Sequence, residues 1–503
     1  MGHLFLQFQN VSFTYQTALE PLFEDVSVHA TRGWTGIVGP NGSGKTTFLK
    51  LATGQLQPNA GRIDCPPLSR YCPQRTDSMP NDFGNFIRTT EKQAYVIRNN
   101  LGVQDDWYER WETLSHGERK RAQIAVTLWQ EPDLLAIDEP TNHVDSDARK
   151  ILVQALFAFQ GVGLLVSHDR DLLDSLCQQC LFIDPPNVIV RPNGYSQGMQ
   201  VAAEERKARE KDYALKKKAF KKIKREAGRR RHMANQYDKK RSKKDIAAHD
   251  HDAKQKIDLV RISGKDIVGG KLLRQLDGRL AQAEQAMRDV HVKKEYDLGI
   301  WLPGSISKRH MLLNCPPGKL RLGDKKTLQY QELIIHSTDR IAVTGPNGAG
   351  KSTLLRYILT YLNVPKEHLT YVPQEIDIQR SQETLARVRE LSTEQLGQVM
   401  NIISRLGSRP HRLLESTTPS PGETRKLLLA LGMMNLPHII VLDEPTNHMD
   451  LPSIECLEAA LVECPCALLL ISHDQRFLSR LTTISWKISS GSDSGATYTL
   501  SVK

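Results

Sequence analysis

The feature that most constrains this chain of 503 residues is a long internal repeat. Gly39-Pro40-Asn41-Gly42-Ser43-Gly44-Lys45-Thr46-Thr47 returns as Gly345-Pro346-Asn347-Gly348-Ala349-Gly350-Lys351-Ser352-Thr353. Leu135-Ala136-Ile137-Asp138-Glu139-Pro140-Thr141-Asn142-His143-Val144-Asp145 returns as Val441-Leu442-Asp443-Glu444-Pro445-Thr446-Asn447-His448-Met449-Asp450. Ser167-His168-Asp169 returns as Ser472-His473-Asp474. Lys45 to Asp138 spans 93 positions and Lys351 to Asp443 spans 92, so spacing is kept as well as order. Such self-similarity defines the architecture before any residue is interpreted. The chain divides into a first copy (1–198), a linker (199–310) and a second copy (311–503).

Each copy reads as α/β. The apolar runs Thr35–Val38 and Leu134–Ile137 precede loops, as buried parallel strands do. Residues 43–51 and 348–359 read as helices opening out of glycine-rich loops. Between Gln74 and Ser115 the segment has helical character, with Trp107 and Trp111 four apart.

The chemistry follows from the loops. Both glycine-rich loops match G-x-x-x-x-G-K-[ST], in which backbone N–H groups curl around phosphate oxygens at a helix N-terminus. Lys45 and Lys351 reach the β- and γ-phosphates; Thr46 and Ser352 help hold Mg²⁺. Asp138 and Asp443 end apolar strands beside those loops and orient the metal through water. Glu139 and Glu444 follow at once and are placed to polarise an attacking water as general bases. His168 and His473 follow a second apolar strand and face the γ-phosphate side.

Two further pairs make a resemblance definite. Tyr71-Cys72-Pro73-Gln74 and Tyr371-Val372-Pro373-Gln374 resemble the glutamine loops of ATP-binding cassette ATPases, and the resemblance gives Gln74 and Gln374 a share in Mg²⁺ binding. Leu114-Ser115-His116-Gly117-Glu118 resembles the signature of that family, which meets the γ-phosphate of ATP held by the opposite cassette. The second signature reads Pro419-Ser420-Pro421-Gly422-Glu423. Pro421 removes one backbone donor, yet Ser as cap, Pro at the first helical position and Glu at the third make a good helix start. Tyr15 is the adenine-stacking aromatic that the resemblance implies. At the corresponding offset the second copy has Leu320-Arg321-Leu322, so two unequal ATP sites are expected. By this resemblance two ATP molecules are sandwiched between the cassettes, which form an intramolecular dimer in a monomeric chain. ATP binding closes the clamp and hydrolysis opens it.

The net charge of +11 is confined to one place. From Arg206 to Lys265 there are 23 Lys or Arg against 8 Asp or Glu, and the rest of the chain is slightly acidic. Leu273, Leu276, Leu280, Ala283, Met287 and Val290 recur at steps of three and four, an a/d seam. The linker therefore reads as two packed helices whose tip falls within residues 243–270, with Lys243, Lys244 and Lys254 as candidate RNA contacts. His249-Asp250-His251-Asp252 reads as polar turn residues rather than a metal site. No stretch of 18 apolar residues is present, no signal peptide is legible at the N-terminus, and the cysteines read as reduced, partly buried thiols of a cytoplasmic protein.

Tandem cassettes, paired Asp-Glu-Pro-Thr-Asn-His motifs and a basic linker together resemble the ABC-F family. That resemblance implies an ATPase that binds the ribosome at the tRNA exit site, with the linker reaching toward the P-site tRNA and the peptidyl-transferase centre in large-subunit rRNA. Absence of an arm insertion between Gln74 and Ser115 leans toward the branch that protects ribosomes from antibiotics. The alternative is the nucleotide-binding subunit of an ABC transporter.

Overall fold

The computed structural model describes residues 4–142, 144–240, 265–288, 304–323, 326–407, 419–490 and 497–502. They form two compact units: residues 1–198 with 296–503, and residues 199–295.

The first unit holds both copies, and the two are built alike. In the first copy the main sheet runs Ser69–Cys72, Leu134–Asp138, Val162–Val166, Gly33–Val38, Cys177–Asp184, Asn187–Pro192. In the second the matching strands stand in the same order: Leu369–Val372, Ile439–Asp443, Ala467–Ile471, Arg340–Thr344, Ile484–Ser490, Thr497–Val502. The first five of each set are parallel and the last is antiparallel. Strands covered on both faces need continuous apolar runs, and Leu134–Asp138, Val162–Val166, Ile439–Asp443 and Ala467–Ile471 are buried at every position. Ligands in such sheets lie beyond the carboxyl ends of the strands, which is where the repeated loops fall.

The glycine-rich loops leave the central strands Gly33–Val38 and Arg340–Thr344 and enter the helices Lys45–Ala52 and Lys351–Tyr361. Gly44 and Gly350 cap those helices at φ 93° and 87°, a left-handed conformation that favours glycine. A Cβ on Gly44 would stand 2.9 Å from Leu22, and one on Gly350 would stand 2.4 Å from Leu322. Leu322 therefore packs on its capping glycine as Leu22 does on Gly44, one residue beyond Arg321, which stands at the offset of Tyr15.

Between Gln74 and Ser115 lie helices Phe83–Arg88 and Lys92–Leu101. Trp107 and Trp111 belong to two single 3₁₀ turns, not to one helix. Both rings are buried, so a four-residue spacing here reflects two turns packing inward rather than one helical face.

In the second unit the long helix Tyr195–Lys240 contributes its residues from 199 onward, with the helix Lys265–Arg288 beside it. Arg231 pairs with Asp277 at 2.6 Å, and Ala227 and Leu276 are buried. Of the expected seam, Leu276 is buried and Leu280, Ala283 and Met287 are half-buried. Lys216, Arg230 and Arg288 pair with acids one turn back, at 2.9, 2.8 and 2.7 Å. Exposed pairs of this kind each contribute only about 0.3–0.5 kcal/mol. Residues 216–225 hold seven basic residues and no acid. Lys243, Lys244, Lys254 and the His249–Asp252 cluster lie outside the described residues.

Candidate functional site

Both phosphate-loop lysines fold back over their own loops. Lys45 Nζ donates to the carbonyls of Gly39 and Pro40 at 2.9 and 3.1 Å, and Lys351 Nζ to those of Gly345 and Pro346 at 2.9 and 3.1 Å. Burial pulls both lysines below their usual range, while Glu139 and Glu444 respectively push back.

The strand-end acids sit beside the loops. Thr46 Oγ1 donates to Asp138 Oδ2 at 2.7 Å, and Tyr71 OH to the same oxygen at 3.3 Å. In the second copy Ser352 Oγ donates to Gln374 Oε1 at 3.3 Å, while Asp443 Oδ1 is buried without a hydrogen-bond partner. Hydroxyl meets carboxylate in the first copy and amide oxygen in the second, hard-oxygen donors of the kind that Mg²⁺ takes.

Glu139 and Glu444 take φ values of 47° and 49°. A non-glycine residue at positive φ is held there by its surroundings, and such positions gather at functional sites. Here the backbone is pinned by Glu139 N–H to Val166 O at 2.9 Å and Glu444 N–H to Ile471 O at 2.8 Å. One carboxylate oxygen of each accepts from the following histidine's backbone, His168 N–H at 3.2 Å and His473 N–H at 3.3 Å. The other oxygen lies 3.3 Å from His168 Nε2 or 3.4 Å from His473 Nε2 but is not aligned for a hydrogen bond. Burial, then Asp138, raises Glu139 to about 8; burial raises Glu444 to about 7. Burial, then Lys45, lowers His168 to about 3, and burial, then Lys351, lowers His473 to about 4. At neutral pH the two histidines are therefore neutral.

The two copies meet at these loops. Asn41 N–H donates to Asp450 Oδ2 at 2.7 Å and Asn41 Nδ2 to His448 O at 3.0 Å. Reciprocally, Asn347 N–H donates to Asp145 Oδ2 at 3.4 Å. Each aspartate also caps the helix behind it, Asp145 accepting from Ala148 N–H at 2.9 Å and Asp450 from Ser453 N–H at 3.0 Å. A cavity between the copies is lined by Glu139, Asn142, His168, Asn447 and His473. Asp145 and Asp450 were visible in the repeat only as the ends of a motif. Their role across the interface becomes apparent only when the opposite phosphate loop is in place.

Both signatures start helices through capping boxes. Ser115 Oγ and N–H each lie 2.8 Å from Glu118 Oε2, and Ser420 and Glu423 repeat this at 2.8 Å with Pro421 in the first turn. Glu118 and Glu423 are thereby committed to their own helix starts. Gly422 lies against the loop that follows Glu444: a Cβ there would be 2.8 Å from His448 O. Tyr15 is 44% exposed, with its hydroxyl 2.7 Å from Thr47 Oγ1, which leaves a ring face open beside the first phosphate loop. In the second copy Lys326 flanks Gly348.

A second contact between the copies lies away from the loops. Arg170 pairs with Glu458 at 2.8 Å, both almost fully buried, and approaches Asp474 at 3.6 Å; Arg480 also reaches Glu458 at 2.8 Å. Tyr195 OH donates to Glu455 at 2.9 Å, and Arg476 reaches Asp174 and Ser196 at 3.3 and 2.9 Å. The repeat-equivalent positions of Arg170 and Glu458 are Gln475 and Val153, so this junction has no symmetric partner.

Phosphate loops, strand-end acid pairs and signature helices facing across a duplicated α/β core define a tandem ATP-binding cassette ATPase. The ABC transporter family model matches residues 23–142 and 328–447. The chain is 27% identical over 497 residues to "Ribosome protection protein VmlR" of Bacillus subtilis, covering 95% of this chain and 86% of that protein. It is 28% identical over 531 residues to "Tylosin resistance ATP-binding protein TlrC" of Streptomyces fradiae, covering 92% and 93%. Among solved structures, the complex of archaeal ribosomal stalk protein aP1 and ribosome recycling factor aABCE1 shares the fold, with TM-score 0.60, 17% identity and coverage of 98% and 89%. Both copies match the ABC transporter family model, and the chain is an ATP hydrolase similar over nearly its whole length to these proteins. Among the described residues no helix is long and apolar enough to cross a membrane.

Proposed function

We propose that this ATPase acts on the ribosome as an ATP-closed clamp, with cassettes at 1–198 and 311–503 and a linker at 199–310. ATP bound by Lys45 and by Lys351 closes the cassettes on each other. Ser420 and Gly422 complete the first site; Ser115 and Gly117 complete the second. Mg²⁺ would be held by Thr46 and Gln74 in one and by Ser352 and Gln374 in the other, with Asp138 and Asp443 orienting it through water, and it would neutralise charge on the phosphates. In the ionised form, which gains population as pH rises toward the raised values of about 8 and about 7, the free buried oxygen of Glu139 or Glu444 takes the proton of the attacking water, yielding ADP and phosphate. The open Tyr15 ring face and Pro421 in one signature support two unequal sites.

The observation that carries the ribosomal reading is the run of seven basic residues at 216–225 inside a long interdomain helix, a footprint suited to nucleic-acid phosphates. The relatives named for ribosome protection and tylosin resistance support the same partner and favour the antibiotic-protection branch. By this reading the linker, including Lys243, Lys244 and Lys254, contacts the P-site tRNA and the rRNA of the peptidyl-transferase centre from a clamp seated at the tRNA exit site.

The test is co-sedimentation with ribosomes of the Glu139→Gln/Glu444→Gln chain, which should hold ATP unhydrolysed. ATP-dependent pelleting is expected. A protein that stays in the supernatant at low salt with ATP bound would reject the ribosome as partner and restore the transporter-subunit alternative.

A further inference from the structure

Two buried cations take no part in the chemistry above. Lys120 and Arg425, 2% and 3% exposed, each lie five residues after a signature serine, in the helices His116–Trp129 and Pro421–Met433. Charges this deep must be satisfied. Both are held by backbone carbonyls, but the two sets of carbonyls differ in kind.

Lys120 Nζ donates to Pro73 O at 2.6 Å and to Asp138 O at 2.9 Å. Both belong to its own cassette, as the acceptors of Arg425 belong to the second, but they are the turn before Gln74 and the end of the Asp138 strand, which leads through Thr46 back to the first phosphate loop. Arg425 donates through Nη2 to Gln374 O and through Nη1 to Asn447 O. Gln374 accepts from Ser352 of the second phosphate loop. Asn447 begins the turn in which His448 O and Asp450 accept from Asn41 of the first phosphate loop. One guanidinium thus holds, at its two ends, a residue one step from each phosphate loop. His448 stands at φ 62°, so that turn keeps its shape through the contacts around it. Arg425 supplies one of them through a rigid planar fork that a lysine ammonium does not reproduce.

We infer that Arg425 is a positioning residue that couples the two ATP sites: binding at the Lys351 site fixes Gln374, and Arg425 carries that to the Asn447–Asp450 turn against Asn41. The inference rests on the proposed nucleotide sites. Coupling of binding is reciprocal, so ATP at the Lys45 site strengthens binding at the Lys351 site by the same factor. What is one-sided is the wiring: Arg425 bridges the sites and Lys120 does not.

The test uses the full Glu139→Gln/Glu444→Gln chain and equilibrium dialysis with labelled ATP. The product of its two stepwise dissociation constants is compared with the product of the single-site constants measured with Lys45→Ala and with Lys351→Ala. Their ratio is the coupling factor. We expect a factor of about 5 or more, within the usual allosteric range, falling below about 2 in both Arg425→Lys and Arg425→Gln and preserved in Lys120→Arg. An unchanged factor in the Arg425 variants, or no coupling in the parent, overturns the inference. Binding of fewer than two ATP per parent chain removes the nucleotide-site reading itself, and the inference with it.

Discussion

Replacing Glu139 by Gln should stabilise the nucleotide-free protein, and more so as pH rises. The Glu139 carboxyl is buried at the end of an apolar strand beside Asp138, and its proton affinity moves from an ordinary 4.5 to about 8. A folded-state value above the unfolded one means the native protein keeps a proton that the unfolded chain releases. Stability from that group is complete below 4.5 and is lost as pH climbs to about 8, where the loss levels off. Gln reproduces the neutral acid, keeps an oxygen for His168 N–H and does not titrate. At 1.36 kcal/mol per tenfold change, the variant gains about 2 kcal/mol over wild type at pH 6 and about 5 kcal/mol at pH 8.5. For a cassette-sized domain the difference of about 3 kcal/mol between those pH values is a melting shift of about 6–12 °C. Thermal melts of wild type and Glu139→Gln at both pH values, without nucleotide, measure it. An equal melting difference at pH 6 and 8.5, or a wild type more stable than the variant at 8.5, would refute the argument that burial of this carboxyl dominates.

Glu139→Gln and Glu444→Gln together should lower the steady-state ATPase rate by at least about 100-fold, the usual contribution of a positioned general base; a smaller loss in a phosphate-release assay would reassign the base. Tyr15→Ala should weaken ATP binding at the Lys45 site by about 5- to 100-fold, as loss of one base–aromatic stack costs about 1–3 kcal/mol, and leave the Lys351 site alone. Arg170→Ala strands Glu458 beside Arg480 alone and should cost about 3–5 kcal/mol, read as a fall in melting temperature; a fall below about 2 °C would mean the junction adds little to stability. Charge reversal at Lys243, Lys244 and Lys254 should reduce the salt slope of ribosome binding by about one for each phosphate no longer neutralised, so the deficit is largest at low salt. An unchanged slope removes these lysines from the RNA interface.

The repeat, its motifs and the basic linker were all legible in the sequence, because each is encoded over a few consecutive residues. A phosphate loop needs glycines at fixed offsets, a buried parallel strand needs an unbroken apolar run, and a capping box needs Ser and Glu three apart. The matching strand orders of the two main sheets follow from the same duplicated pattern. Where a local pattern had two solutions, the sequence misled: Trp107 and Trp111 fit a helical face but pack from separate 3₁₀ turns.

Only the tertiary structure decided what lies between the copies. Asn41 meets Asp450 across 409 positions of chain, and no local rule pairs them. Arg170 meets Glu458 where the repeat offers Gln475 and Val153, so self-similarity actively concealed that junction. The left-handed backbone of Glu139 and Glu444 is likewise imposed from outside, by Val166 and Ile471 on neighbouring strands. Short-range propensity sets each element, whereas a composite site depends on charges and donors brought together by packing whole layers, and that information is spread over the entire chain.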